Sequence, residues 1–377
     1  MAKLGDICTV VSGSTPSSSV AEYWDGNHIW ITPAELSDDS FIIHDSVRHI
    51  TDKAIQETSL KPFPEGTVIL SSRAPIGKTA IAGCKMYCNQ GFKNLICSDS
   101  IYNKYLYFFL SSKTDYLNSL GRGATFKEIS KHIVENIEIS LPKIEEQKKR
   151  AAILEKLMNL IHIRRKQLSK LDQFVKSRFV EMFGDTRNNI NNFKIYSIGD
   201  ICSLKSGTSL PLNLENEGGD IPYIKVSDMN FPGNEQYITT SSRYVTRKTA
   251  GNGIFPVGSV IFPKRGGAIG TNKKRLTRIP ICADLNIMGV IPSRSIISYY
   301  LLSYFNMIDL GKLDNGSSVP QLNNKDIAPL KILLPPLPLQ EQFAAFVQQV
   351  DKAKSSVKQS LEKLEMLKKS LMQEYFG

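Results

Sequence analysis

Two stretches of the chain set arginine and lysine beside hydroxyl groups, each directly after a short β-branched run. In the first half they are Ser71-Ser72-Arg73 with Lys78; in the second they are Lys264-Arg265, followed by Lys273-Lys274-Arg275. Arginine presents a fork that matches O6 and N7 of guanine in the major groove, and lysine offers a point charge to phosphate, so these loops carry the chemistry of DNA contact. A second pair of loops is Arg122-Gly123-Ala124-Thr125-Phe126-Lys127 and Gly316-Ser317-Ser318-Val319-Pro320-Gln321. There glycine lets the backbone approach a ligand closely, and Ser or Thr can donate to phosphate. Arg73 and Arg265 are the leading candidates for base contact. For every one of these loops the competing reading is a solvated hairpin tip that only turns the chain.

Other chemistries find no support. No phosphate loop of the Gly-x-x-x-x-Gly-Lys-Ser/Thr type occurs, and Gly251-Asn252-Gly253 and Gly266-Gly267-Ala268-Ile269-Gly270 lack the rest of a nucleotide-binding pattern. An amino-methyltransferase expects Asn or Asp before Pro-Pro-aromatic, whereas Pro335-Pro336 lies between Leu334 and Leu337. The histidines His28, His44, His49, His132 and His162 show no metal spacing, and the acidic residues form no nuclease constellation. Six cysteines (Cys8, Cys84, Cys88, Cys97, Cys202, Cys282) lack CxxC spacing and read as reduced thiols. The chain therefore reads as non-catalytic, with no metal and no cofactor of its own. Its net charge of +11 exceeds what solubility requires and suits a polyanion, either nucleic acid or an anionic membrane surface. No apolar run approaches the ~20 residues of a membrane span, and the start, Met1-Ala2-Lys3-Leu4-Gly5-Asp6, lacks a signal-peptide core, so a cytoplasmic location is expected.

The elements that must position these loops are written twice. Leu4-Gly5-Asp6-Ile7-Cys8 returns as Ile198-Gly199-Asp200-Ile201-Cys202, and Ser12-Gly13 returns as Ser206-Gly207. Phe63-Pro64-Glu65-Gly66-Thr67-Val68-Ile69 answers to Phe255-Pro256-Val257-Gly258-Ser259-Val260-Ile261, Leu141-Pro142 to Leu334-Pro335, and Glu146-Gln147 to Glu341-Gln342. A period this long, present twice, means two whole domains rather than a solenoid. Thr67–Leu70 and Ser259–Phe262 read as strands, with Thr79–Ala82 and Pro280–Cys282 continuing the same sheet. Residues 103–117 and 296–308 read as aromatic core helices. The Asn-rich joint 184–192 reads as an ordered connector or short linker.

Each repeat ends in a long breaker-free run. Leu154, Ile161, Leu168, Val175 and Met182 fall seven apart in the first, and Phe343, Val350, Val357, Leu364 and Leu371 do so in the second. Both runs predict amphipathic helices, the first of them roughly 58 Å long, whose apolar seams need a partner. They are expected to pair with each other. The predicted division is a first α/β domain over 1–142, a helix over 143–184, a second α/β domain over 185–335 and a helix over 336–377, an α+β architecture with two paired long helices.

The motif order Leu-Gly-Asp-Ile, Ser-Ser-Arg-x-x-Ile-Gly-Lys, Asn89-Gln90-Gly91-Phe92-Lys93, Gly-Ala-Thr-Phe and Leu-Pro-x-x-x-Glu-Gln before a long helix, most of it repeated, resembles the specificity subunit of type I restriction-modification systems. The second repeat departs at Ala283-Asp284-Leu285-Asn286, where Asn-Gln-Gly would recur. The resemblance implies that each α/β domain is a target-recognition domain reading one half of a bipartite double-stranded DNA site, and that the helices pair as an antiparallel coiled coil and hold the domains apart. It implies two methylation subunits docked around the helices and, as a further tier, two restriction-translocation subunits. S-adenosylmethionine and ATP chemistry would belong to those partners. By the same resemblance Lys93 joins the DNA-contact candidates. The rival readings are an enzyme that methylates or cuts DNA unaided, and a structural coiled-coil adaptor that reads no sequence.

Overall fold

The computed structural model describes residues 1–73, 75–123, 127–184, 189, 191–313 and 319–377. The chain divides into two compact units, Met1–Arg165 with Gln359–Gly377, and Lys166–Lys358.

In the first unit a five-stranded sheet runs in the order Cys8–Ser12, Lys93–Cys97, Val68–Leu70, Thr79–Ala82, Ile42–Ile43, and a smaller sheet joins Arg48–Ile50, Trp24–Ile31 and Tyr87–Cys88. The second unit repeats this arrangement. Its five strands are Cys202–Ser206, Ile287–Pro292, Val260–Pro263, Arg275–Thr277 and Tyr237–Ile238, and its smaller sheet joins Tyr244–Val245, Ile221–Ile224, Ile281–Ala283 and Ile254–Phe255. One edge strand of each five-stranded sheet, Ile42–Ile43 or Tyr237–Ile238, pairs parallel to its neighbour, and the other pairs in that sheet are antiparallel. Thr79–Ala82 does continue the sheet begun by Val68–Leu70. Ile281–Ala283, however, belongs to the smaller sheet, and the counterpart of Thr79–Ala82 is Arg275–Thr277. Two alternating apolar runs lie close together here, and period alone does not say which one pairs with Val260–Pro263.

The turn at the end of the first strand requires glycine for space rather than for backbone freedom. A Cβ at Gly13 would lie 2.0 Å from the Cys88 carbonyl oxygen, and one at Gly207 would lie 2.0 Å from that of Asp284. The two segments that differ in sequence at this point fold alike. Asn89 Oδ1 accepts the Gly91 N–H at 2.9 Å, and Asp284 Oδ1 accepts the Asn286 N–H at 2.9 Å, the same side-chain turn built from different residues.

The aromatic helices lie over the five-stranded sheets. The first is two helices, Asn103–Ser112 and Thr114–Leu120, and the second is Ser298–Asn306. Tyr105, Phe108, Phe109 and Leu117 are buried, as are Tyr300, Leu301 and Phe305. The long helices span Ile144–Phe183 and Leu337–Phe376, 40 residues each. Pro338 sits in the first turn of the second, where a missing N–H costs nothing. In the first unit Leu154 packs in one core with Leu371, Met372, Tyr375 and Phe376, and Arg150 lies over the Tyr375 ring at 5.0 Å. In the second unit Phe179 and Phe183 meet Phe343 at ring-centroid distances of 5.5 and 5.4 Å, with Val175, Met182 and Val347 in the same core. Within each unit the two helices thus run antiparallel. All ten heptad positions are buried or half-buried, including Ile161, Leu168, Val350, Val357 and Leu364. The joint at 184–192 lies largely outside the described residues.

Candidate nucleic-acid interface

In the first unit the strand Val68–Leu70 runs straight into the Ser-Ser-Arg loop. Ser71 closes the tip: its backbone N–H donates to Lys78 O (2.8 Å), its Oγ donates to Pro75 O (2.7 Å) and accepts the Lys78 N–H (2.9 Å). Gly77, with φ of 91°, completes the turn. Ser72 bridges two neighbours, donating its N–H to Gly91 O (2.7 Å) and accepting the Ile129 N–H (3.0 Å). The loop is therefore held on both sides, and Arg73 leaves it exposed.

Glu128 is the hub of this surface. Its backbone exchanges hydrogen bonds with Arg122 (2.9 and 3.0 Å), and it forms an antiparallel bridge with Arg73. Its carboxylate accepts from Arg73 Nε at 2.8 Å and from the buried Lys93 Nζ at 3.1 Å. Burial alone would raise the Glu128 carboxyl, but hydrogen bonds from Arg73 and Lys93, with their charges, outweigh it and hold it below the usual carboxylate range.

The second unit builds the same backbone frame with other side chains. Lys264 donates its N–H to Asn286 O (2.8 Å) and accepts the Leu322 N–H (2.8 Å), matching Ser72 with Gly91 and Ile129. Arg265 forms the antiparallel bridge with Gln321 that Arg73 forms with Glu128. The Gln321 side chain turns to Asn323 Oδ1 at 3.0 Å, and the exposed Arg265 guanidinium has no hydrogen-bond or ion-pair partner among the described residues. The Lys264 ammonium donates to Ser206 Oγ at 2.9 Å, and burial, then repulsion from Arg265, pushes its pKa down. A lysine therefore stands beside each loop, from the loop itself in one unit and from the neighbouring strand in the other.

Several expected contact residues face inward. Ser71 and Ser72 are fully buried and Lys93 nearly so, so these side chains build the loop and its charge balance rather than offering surface to DNA. Lys274 is buried too, donating to Ile308 O (2.6 Å) and Asn272 Oδ1 (2.6 Å). Burial lowers its pKa to about 8, with Asp309 opposing and Lys176 assisting. Lys78 donates to Leu36 O at 2.7 Å, and Lys273 donates to Asn230 Oδ1. Arg122, Lys127, Arg73 and Arg265 are exposed. Thr125, Ser317 and Ser318 lie outside the described residues. Glu128 went unrecognised in the sequence because a Glu after a Lys is ordinary surface composition; only its pairing across 55 residues with Arg73 singles it out.

The long helices are tied to the α/β domains by polar contacts. Arg165 bridges Asp39 (2.8 Å) and Glu365 (2.9 Å), and Glu155 pairs with Lys104 (2.8 Å). In the second unit Lys354 joins Asp172 (2.6 Å) to Gln236 (2.9 Å). Among the described residues no helix is long and apolar enough to cross a membrane, and no group of His, Cys, Asp and Glu could hold a metal ion.

Comparison with known proteins agrees with this duplicated frame. A family model described as the type I restriction modification DNA specificity domain matches residues 1–173 and again 190–366. The chain is 32% identical over 373 residues to the type I restriction enzyme MjaIX specificity subunit of Methanocaldococcus jannaschii, covering 92% of this chain and 85% of the relative. The EcoR124I/EcoR124II specificity subunit of Escherichia coli is 27% identical over 164 residues, 42% of this chain and 40% of the relative. Among solved structures, the S subunit of a type I restriction-modification system from M. genitalium superposes with a TM-score of 0.56 at 17% identity, covering 100% of this chain and 95% of that one. A chain from a study of complex assembly and conformational transition of the type I R-M system gives a TM-score of 0.60 at 18% identity, over 99% and 96%.

Proposed function

Because this chain belongs to the type I restriction-modification DNA specificity family, we propose that it is the DNA target-recognition subunit of such a system and reads a bipartite site, one half per α/β domain. Residues 1–142 read one half and 185–335 the other. The helices 143–184 and 336–377 join the readers and dock two methylation subunits, with two restriction-translocation subunits as a further tier. The chain performs no chemistry itself; methyl transfer and ATP hydrolysis belong to those partners. The structural-adaptor reading draws no support from the family match.

The observation that carries this reading is the repeated loop frame with divergent side chains. The same backbone hydrogen bonds hold Ser72-Arg73 and Lys264-Arg265, yet their neighbours are Glu128 in one unit and Gln321 in the other. A common scaffold presenting different groups is what two readers of different half-sites require. Arg73 and Arg265 are the base-reading candidates; Arg122, Lys127 and Lys273 serve phosphate; Ser71, Ser72, Lys93 and Lys274 position the loops.

The test is Arg73→Ala and Arg265→Ala, each expressed with the cognate methylation subunit and scored on substrates altered in one half-site at a time. Each variant is expected to lose discrimination in a different half, by ~1–3 kcal/mol for a good bidentate contact. Uniform loss across sequences would reassign these arginines to phosphate, and no loss would remove them from the interface.

A further inference from the structure

Arg73 and Arg265 occupy equivalent places but are held differently. Glu128 takes Arg73 by Nε alone, at 2.8 Å, and among the described residues both terminal Nη groups keep their hydrogens unpaired. Those Nη groups form the fork that would meet guanine O6 and N7. The carboxylate is itself pinned from behind, by Lys93 Nζ at 3.1 Å and by backbone hydrogen bonds of Glu128 to Arg122. Arg265 has the matching backbone bridge, to Gln321, but no carboxylate.

Resting on the reading of these loops as DNA-contacting, we infer that Glu128 is the specificity-positioning residue of the first reader, holding Arg73 by Nε so that its Nη fork is preset for a guanine edge, while the second reader uses a guanidinium with no such brace. A long side chain ordered before binding loses less freedom when it docks. The carboxylate beside the fork also disfavours phosphate there, because a negative group cannot approach it without repulsion. The first reader should therefore discriminate guanine more sharply at its arginine position than the second.

The experiment expresses the full chain with its methylation subunit and sequences methylated sites to obtain base frequencies at every position of both half-sites. Arg73→Gln should abolish guanine preference at one position of one half-site. Glu128→Gln should lower guanine preference at that same position by roughly two- to tenfold, and elsewhere leave the half-site recognisable. Gln321→Glu should do the reverse in the other half, raising guanine preference at the position that Arg265→Gln abolishes. A gain of selectivity is something that misfolding cannot produce. Unchanged base frequencies in Glu128→Gln, with guanine preference lost in Arg73→Gln, would overturn the positioning role alone. No change in Arg73→Gln would instead overturn the DNA reading of the loop. If Glu128→Gln abolishes all methylation, Gln321→Glu decides, and the absence of a gain there overturns the proposal.

Discussion

Gln147 and Gln340 show how much one side chain can fix. Gln147 accepts the Tyr102 N–H (2.9 Å) and donates to Ser100 O (3.0 Å) and Pro142 O (2.8 Å); Gln340 accepts the Ile297 N–H (2.8 Å) and donates to Ser295 O (3.1 Å) and Pro335 O (2.8 Å). Both are fully buried, and each locks the first turn of a long helix to the aromatic helix of its domain. Gln147→Leu keeps the volume but strands one N–H and two carbonyls, so we expect a loss of about 3 kcal/mol, read as a lowered urea midpoint, with the same for Gln340→Leu. The sequence aligned Glu146-Gln147 with Glu341-Gln342; the hydrogen bonds pair Gln147 with Gln340 instead. Two glutamines stand two residues apart in Leu339-Gln340-Glu341-Gln342, and nothing short of their partners distinguishes them. The arginine loops were legible because a charged group after a β-branched run is a local signal. Glu128, and the inward turn of Ser72, Lys93 and Lys274, were not, since each depends on a neighbour distant in sequence; Ser71 turns inward to close its own loop against Pro75 and Lys78.

At the scale of the element, heptad spacing was a sufficient guide to both long helices, because an apolar stripe sustained over 40 residues has no strand alternative. It was less informative about depth. Phe183 and Phe174 both lie near the apolar face of the first long helix, yet Phe183 is fully buried against Tyr300 and Phe343, while Phe174 is 54% exposed and keeps one ring contact, to Phe346 at 5.0 Å. Phe183→Ala should therefore cost about 3–5 kcal/mol and Phe174→Ala about 1, measured by chemical denaturation of the whole chain. Equal costs would mean that the seam does not close as described. Short elements were the least legible: the helix expected over 103–117 breaks at Lys113 into two, and strands of two or three residues, such as Ile42–Ile43, are too short to carry a period.

For the whole molecule, the internal repeat made the architecture legible, since two copies of one motif order constrain each other. The repeat did not reveal that the first unit is discontinuous: residues 1–165 are completed by 359–377, whereas 166–358 form one continuous stretch. In the first unit Phe376 meets Tyr105 and Phe109 at 5.1 and 6.0 Å, and Lys113 Nζ donates to Gly377 O at 2.8 Å. We expect the fragment 166–358 to fold cooperatively alone. The fragment 1–165 should melt earlier, with exposed aromatic surface that binds a hydrophobic dye, and a peptide of 359–377 should restore it. Circular dichroism melts of the two fragments check this, and equal stability without the peptide would refute it.

That discontinuity sets an order of events on the ribosome. Domains made earlier usually fold earlier, but here the earlier-made of the two units cannot be completed until residues 359–377 emerge. At ~5–20 residues per second the wait from residue 165 onward is roughly 10–40 s, during which Tyr105, Phe109 and Leu154 lack the helix that covers them. The continuous unit can close before then. The nascent chain would thus finish its later-made half first and its earlier-made half last, with the N-terminal core held open as a client for chaperones throughout.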